Sequence, residues 1–255
     1  MREIPQPEFE RDIRKLTKAY EQALKDVQAE LNSLFLTDFE RAQIVATEKH
    51  IKQILDDLDE FAEEWAAVAI TAAGLEGVAS TIYTLELADT IEEARKIAKF
   101  SRPNKRLIDA VIADTQADLL AVTQNVNRQA KIAIRKATAE AMRSQLAKGI
   151  NATQNLSKEI RDRIVQATDV AIIDRRGRRW KVETYADMVA RTKMMEAHKE
   201  ASTNEALSEG SHYGVISTHN AKDACRNYEG KIVKLVEGAD GDFPYIGDLP
   251  RNEIF

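Results

Sequence analysis

The sequence predicts a mainly α fold: a region of long helices, then a small α+β domain carrying a β-hairpin. Three observations carry that prediction. Glycine and proline number only 10 and 5 among 255 residues, so helix breakers are rare. Apolar residues recur at three- and four-residue intervals through the first 150 positions, the spacing of one buried helix face. From about residue 151 the texture changes to a short β-branched run, a glycine turn and an alternating run, which is hairpin chemistry.

The elements follow in order. Over 8–31, Phe9, Ile13, Leu16, Tyr20, Ala23, Val27 and Leu31 share one helix face, with charges opposite. A run of about three heptads suits either an oligomeric coiled coil or a helix packed on its own domain. A second amphipathic helix covers 38–61 through Phe39, Ile44, Val45, Ile51, Ile54, Leu55, Leu58 and Phe61, and its tail, Asp56 to Glu60, is acidic. Trp65 to Leu85 is small and apolar apart from Glu76, with Gly74 and Gly77 inside it. A membrane-spanning helix would carry Glu76 near its centre at a cost of about 2–3 kcal/mol, so the stretch reads as a buried, alanine-rich helix or helical hairpin. A helix over 89–100 takes Asp89 or Thr90 as its N-cap, with acids in its first turn. Ser101-Arg102-Pro103-Asn104 breaks it, and 105–148 reads as one or two long helices ending near Gly149.

After 151, Ser157 caps a short helix to Gln166. Val170 to Ile173 and Trp180 to Glu183 form the hairpin strands. Thr184 to Leu207 returns to helix, with Tyr185, Met188, Val189, Thr192, Met195 and Ala206 on its apolar side and Gly210 as its stop. Val215 to Ser217 and Lys231 to Val236 read as strands. The expected organisation is a helical docking or oligomerisation region over 1–150 and a small α+β domain over 151–255. The latter is expected to be cut short at its C-terminus, because Phe255 ends the chain without a cap or charged tail.

Composition narrows function. The net charge of −5 argues against wholesale wrapping by nucleic acid and leaves room for local basic patches. A single cysteine, Cys225, excludes an internal disulfide. The N-terminus lacks the basic start and apolar run of a secretory signal. Phosphate-binding glycine loops, the H-E-x-x-H helix and the G-x-S-x-G elbow are absent, and His50, His198, His212 and His219 are scattered. No catalytic residue is assigned, and the chain reads as a non-enzyme.

Four features invite a chemical reading. His219 and Cys225 are zinc-type ligands six positions apart, but two ligands do not make a site; alone they read as a surface histidine and a half-buried cysteine. Arg175, Arg176, Arg178, Arg179 and Lys181 crowd the hairpin turn at Gly177. Guanidinium groups there suit phosphates or an acidic groove on a protein partner; the plainer reading is a solvated turn. Arg95, Lys96, Lys99, Arg102, Lys105 and Arg106 run from Ala94 to Ile108 without an acid, which a solvated helix end explains in part and DNA proximity in part. Gly238 to Asp242 lacks the full spacing of a calcium loop and reads as a turn.

Three blocks in the second region carry a resemblance. They are the hairpin Asp174-Arg175-Arg176-Gly177-Arg178-Arg179-Trp180, the helix Tyr185-Ala186-Asp187-Met188-Val189-Ala190-Arg191-Thr192, and Val215 to Cys225 closed by Tyr228-Glu229-Gly230-Lys231-Ile232. In this order and spacing, over roughly 165–255, the chain resembles the phage minor capsid protein type 2 family, akin to Mu F-like head morphogenesis proteins. Its motif positions here are Gly177, Trp180, Tyr185, Met188, Arg191, Thr192 and Gly230. The resemblance implies a structural head protein of a tailed bacteriophage, made in the host cytoplasm and carried in the virion near the portal at low copy number. It implies contact with portal or major capsid protein, and with packaged DNA, in several copies per particle and with no small-molecule substrate. It implies no cofactor for this chain. The family commonly continues into a His-Pro-Asn-Cys-Arg-His-like segment, so His219 and Cys225 would supply half of a zinc site whose other ligands lie beyond Phe255. A role in head assembly or DNA delivery is a further expectation. The rival is a toxin effector of the ADP-ribosyltransferase kind, for which the only Glu-x-Glu is Glu8-Phe9-Glu10 in the first helix. A third reading, an injected membrane-active protein, rests on Trp65–Leu85 alone.

Overall fold

The structure is a computed structural model that describes residues 6–33, 41–148, 170–173, 179–216, 218, 222 and 224–249. Its helices are α1 (Glu10–Ser33), α2 (Arg41–Thr84), α3 (Ile91–Ile97), α4 (Arg102–Lys148) and α5 (Val182–Ser208). Its strands are β1 (Val170–Ile173), β2 (Arg179–Lys181), β3 (Tyr213–Val215) and β4 (Ile232–Lys234), paired antiparallel as β1–β2 and β3–β4. The fold is mainly α with a small sheet component at its C-terminal end, as the sequence predicts. At about 1.5 Å per residue, α2 and α4 (44 and 47 residues) are about 66 and 70 Å long. The chain divides into two compact units that are not consecutive segments: Pro7–Ala72 with Asp109–Glu196, and Met1–Gln6 with Ala73–Ile108 and Ala197–Phe255. The boundary expected at 150/151 and the helix expected over 157–166 lie outside the described residues.

The first unit is a helical bundle. The face of α1 carrying Ile13, Leu16, Tyr20, Ala23, Leu24, Val27 and Leu31 is buried within the chain, so this helix packs on its own domain. Hydrogen bonds between helices fix the register. The Trp65 indole N–H donates to the Asp12 carbonyl at 2.8 Å, and His50 lies 3.4 Å from Glu30, so α1 and α2 run antiparallel. Thr123 donates to Asp59 at 2.6 Å and Gln116 to the Glu63 carbonyl at 3.3 Å, so α2 and α4 also run antiparallel. The Tyr20 phenol donates to the Leu119 carbonyl at 3.3 Å; burial, and then the Asp59 charge, push its pKa well above the usual phenol range. Two apolar residues assigned to the buried face of α2 point outward instead: Val45 is 58% exposed and Phe61 39%.

The second unit is built on close helix approach. Neither Gly74 nor Gly77 interrupts α2, so the hairpin alternative gives way to one continuous helix. By length and composition α2 would pass for a membrane span, yet Trp65, Ala66, Ala69, Ile70, Ala73, Val78, Ala79 and Ile82 are buried in protein. Glu76 is held by a bidentate ion pair with Arg95, at 2.7 and 2.9 Å. At Gly77 a Cβ would drive into the His198 carbonyl oxygen and lie 3.0 Å from its carbon. Helices α2 and α5 therefore meet backbone to backbone. The Ser202 hydroxyl donates to the Gly77 carbonyl at 2.9 Å, and the Thr81 hydroxyl to the Ser202 carbonyl at 3.1 Å. Asn104, fully buried, donates to the Ala201 carbonyl at 3.4 Å and accepts from Asn204 at 2.9 Å.

Helix ends follow their local chemistry. Helix α2 stops in a Schellman turn: Leu87 N–H reaches the Ile82 carbonyl and Glu86 N–H the Tyr83 carbonyl, with Glu86 at φ 60°. Thr90 is the N-cap of α3, accepting from Glu93 N–H at 3.2 Å, while the Glu93 carboxylate accepts from Asp89 N–H at 3.1 Å. The break expected at 101–104 is narrower than that. Ser101 accepts from Asn104 N–H at 3.3 Å, and Pro103 sits in the first turn of α4, where an amide N–H has no helical partner to lose. Helix α5 ends in a second Schellman turn with Gly210 at φ 81°, Gly210 N–H on Leu207 and Ser211 N–H on Ala206. Beyond it, β3 and β4 pair in register from Tyr213↔Lys234 to Val215↔Ile232, with Val233 buried between exposed neighbours. The 238–242 segment is a turn, as expected, tied down by the Tyr213 hydroxyl donating to the Asp240 carbonyl at 2.6 Å and by an edge-on contact of Tyr213 with Phe243.

The two α2 glycines are expected to differ on substitution. Gly77→Ala meets backbone and should destabilise the protein by about 1–3 kcal/mol, despite gaining about 1 kcal/mol of helix propensity. Gly74→Ala meets side chains alone, Ile108 Cδ1 and Cγ1 and the Phe100 ring edge, and should cost less than Gly77→Ala. Urea unfolding of both variants checks the difference.

Candidate functional site

The motif helix is the part of the chain where sequence pattern and geometry converge. Its start follows directly on β2, so Trp180 and Tyr185 flank the strand-to-helix junction. Their rings meet edge to face, centroids 6.4 Å apart at 74°, a favoured aromatic arrangement. Tyr185 is half-buried, and burial, followed by the Asp118 charge, raises its pKa. Met188 is half-buried, Thr192 exposed, and Val182, Ala186, Val189, Ala190 and Met194 face the core.

Arg191 has two carboxylate partners. Its Nε and Nη2 donate to Asp187, one turn back, at 2.7 and 3.3 Å. Its Nη1 donates to Glu10 Oε1 and its Nη2 to Glu10 Oε2 at 3.1 Å. The guanidinium thus forks across two acids, one of them 181 positions away at the start of α1, a geometry that suits Arg and not Lys. Hydrogen bonding to Glu10, then to Asp187, pushes the Arg191 pKa above its usual range; the same bond holds the Glu10 carboxyl below its usual value. Glu10 is the second member of Glu8-Phe9-Glu10, and its carboxylate serves this ion pair at the first turn of a helix.

The hairpin pairs as predicted, with Val170↔Lys181, Ile172↔Trp180 and Ile173↔Arg179. Val182 and Glu183, both expected in the second hairpin strand, belong instead to α5. Arg175, Arg176, Gly177 and Arg178 fall in the connection between the strands and lie outside the described residues, as does the Arg179 side chain; Lys181 is exposed. His219 also lies outside them, and Cys225 is placed by its backbone in a 3-10 turn, Ala224–Asn227. Among the described residues no three His, Cys, Asp or Glu side chains gather as metal ligands would. Gly230 is the third residue of a turn closed by Lys231 N–H on the Tyr228 carbonyl at 3.1 Å, and its φ of 73° explains a glycine there. His198 is half-buried at the α2–α5 crossing, where desolvation lowers its pKa, while His50 belongs to α2 and His212 to the segment between α5 and β3.

Such a site holds elements together and presents charge; its described side chains form no nucleophile, base and oxyanion arrangement. The class this defines by fold is a mainly helical protein whose motif helix is fastened to α1 and to the hairpin. A family model described as Phage minor capsid protein 2 matches residues 39–242, and the chain belongs to that family. The match takes in α2, α3 and α4 as well as the motif helix, more than the 165–255 over which motifs are legible. No curated protein matches the chain, and no solved structure does. Its role is therefore that of a structural component of a phage particle.

Glu10 and Arg191 are expected to be coupled. Arg191→Gln and Glu10→Gln should each lower the melting temperature, with the double variant no worse than the weaker single. The lowered Glu10 pKa fixes the sign with pH: the contribution is complete above the ordinary carboxylate value and is lost as pH falls through the lowered one. A thermal double-variant cycle at neutral pH and again at about pH 3 checks both.

Proposed function

We propose that this chain is a low-copy minor head protein seated beside the portal, binding portal or major capsid subunits through its helical bundle. The carrying observation is the family match across 39–242, which takes in α2, α3 and α4 together with the motif helix. Long amphipathic helices offer extended faces for groove packing against such partners. The arginine hairpin, residues 175–181, is the second contact element, reaching an acidic groove of a neighbour or packaged DNA. Assistance in head assembly, or passage with the genome, follows from a position at the vertex through which DNA moves.

Quantitative mass spectrometry of purified, DNA-filled particles tests this, with portal and major capsid peptides as internal standards. The expected result is a stoichiometry close to that of the portal and far below that of the major capsid protein. Abundance in the lysate with absence from particles would overturn it and leave an assembly factor that departs, or a soluble effector.

A further inference from the structure

We infer that the corner between α3 and α4 is a docking surface for the phosphate backbone of duplex DNA. Lys96, Lys99, Arg102, Lys105 and Arg106 are all exposed, and none makes an ion pair among the described residues. The sixth cation of the run, Arg95, is already engaged by Glu76. No acid occurs between Ala94 and Ile108; Glu92 and Asp109 flank the run at its two ends and leave the five cations in excess.

The placement is unfavourable in the free protein. Arg102, Lys105 and Arg106 occupy the first turns of a 47-residue helix that has no acid in its first turn. The helix dipole is positive there, which disfavours cations and favours an anion. Arg102 and Arg106 stand one turn apart and repel each other. A polyanion relieves every one of these terms.

The surface is also held in shape. Between the exposed cations, Asn104 is fully buried and hydrogen-bonded to Ala201 and Asn204. Ile108 and Phe100 pack at Gly74, and the Arg95–Glu76 pair ties α3 to α2. Lys99 is three residues from both Lys96 and Arg102, so each step spans at most about 11 Å of chain. Five cations therefore present together without further ordering.

Residue type selects the partner. Three of the five are lysines, which protein interfaces avoid, and the patch offers one exposed apolar residue, Ile97, where a protein partner would need an anchor. Lysine and arginine without anchors suit phosphates, whose contacts position a protein on DNA without reading sequence. The inference draws on the family assignment only for the availability of DNA, and it concerns a surface separate from the arginine hairpin.

Fluorescence anisotropy of the full chain with a labelled duplex of about 30 base pairs tests it, over a range of salt. Wild type should bind at low salt with an affinity that falls steeply as salt rises. The triple variant Lys99→Gln, Lys105→Gln, Arg106→Gln replaces exposed side chains and should keep the wild-type melting temperature. It should lose about tenfold or more in affinity at low salt, and its log–log salt slope should be shallower by about 2–3. Arg178→Gln with Arg179→Gln should lose less affinity than the triple variant. Equal binding by the triple variant and wild type would overturn the inference, as would binding lost only in the hairpin variant. Patch-dependent binding of poly-glutamate as tight as that of DNA would overturn it in favour of an acidic protein partner. Each of these results leaves the head-protein reading untouched, because none depends on where the chain sits in the particle.

Discussion

The helical part of this protein depends on an apolar stripe that advances by three, four and four residues. In α4 the buried positions are Ile108, Val111, Thr115, Leu119, Val122, Val126, Ala130 and Ala133. In α2 they are Leu55, Leu58, Ala62, Ala66, Ala69, Ala73, Gly77 and Ser80, and α1 keeps the same step from Ile13 to Leu31. Eleven residues over three turns is about 3.67 per turn, close to the natural 3.6. A stripe of this period stays on one face of a nearly straight helix, whereas a heptad stripe must supercoil to the left. Such a stripe keeps one side of α2 and of α4, 44 and 47 residues long, supplied with buried positions along its length. Small residues on the α2 stripe then let its neighbours approach until, at Gly77, backbone meets backbone.

Within this frame the family motif reads as fastening. Trp180 and Tyr185 set the junction of hairpin and helix, and Arg191 secures the start of α1 through Glu10. Gly230 permits the turn that leads into β4. The α3–α4 corner, by contrast, carries Lys96, Lys99, Arg102, Lys105 and Arg106 exposed. The chain carries a net charge of −5, against which the exposed cations of the α3–α4 corner stand out locally.

Much of this was legible from residues alone. The positions of α1, α3 and α5, the Thr90 cap, the Gly210 stop and the hairpin all follow from local chemistry, which acts over a few residues. The structural role of the chain was legible from the order of three motif blocks. The α2 helix was read in two pieces, 38–61 and 65–85, because its residues change there from amphipathic to small and apolar; the missing side chain of Gly77 serves the close approach of α5. The outward Val45 and Phe61 were placed inside by a loose three–four count; the stricter eleven-residue step would have excluded both. Glu10 as the partner of Arg191, and Asn204 as the partner of Asn104, leave no local trace, because each pair joins positions about a hundred or more residues apart. Only the packed register of the helices brings them together.

The central claim is that a protein of long helices, packed within one chain, is a structural part of the phage particle. Localised cryo-EM reconstruction of DNA-filled heads tests it most directly. The account predicts density for nearly straight helices of about 66 and 70 Å, antiparallel where Asp59 meets Thr123, with α1 packed along them in the same chain. Heads without that density, or the same helices wound into a left-handed coiled coil between copies, would contradict it.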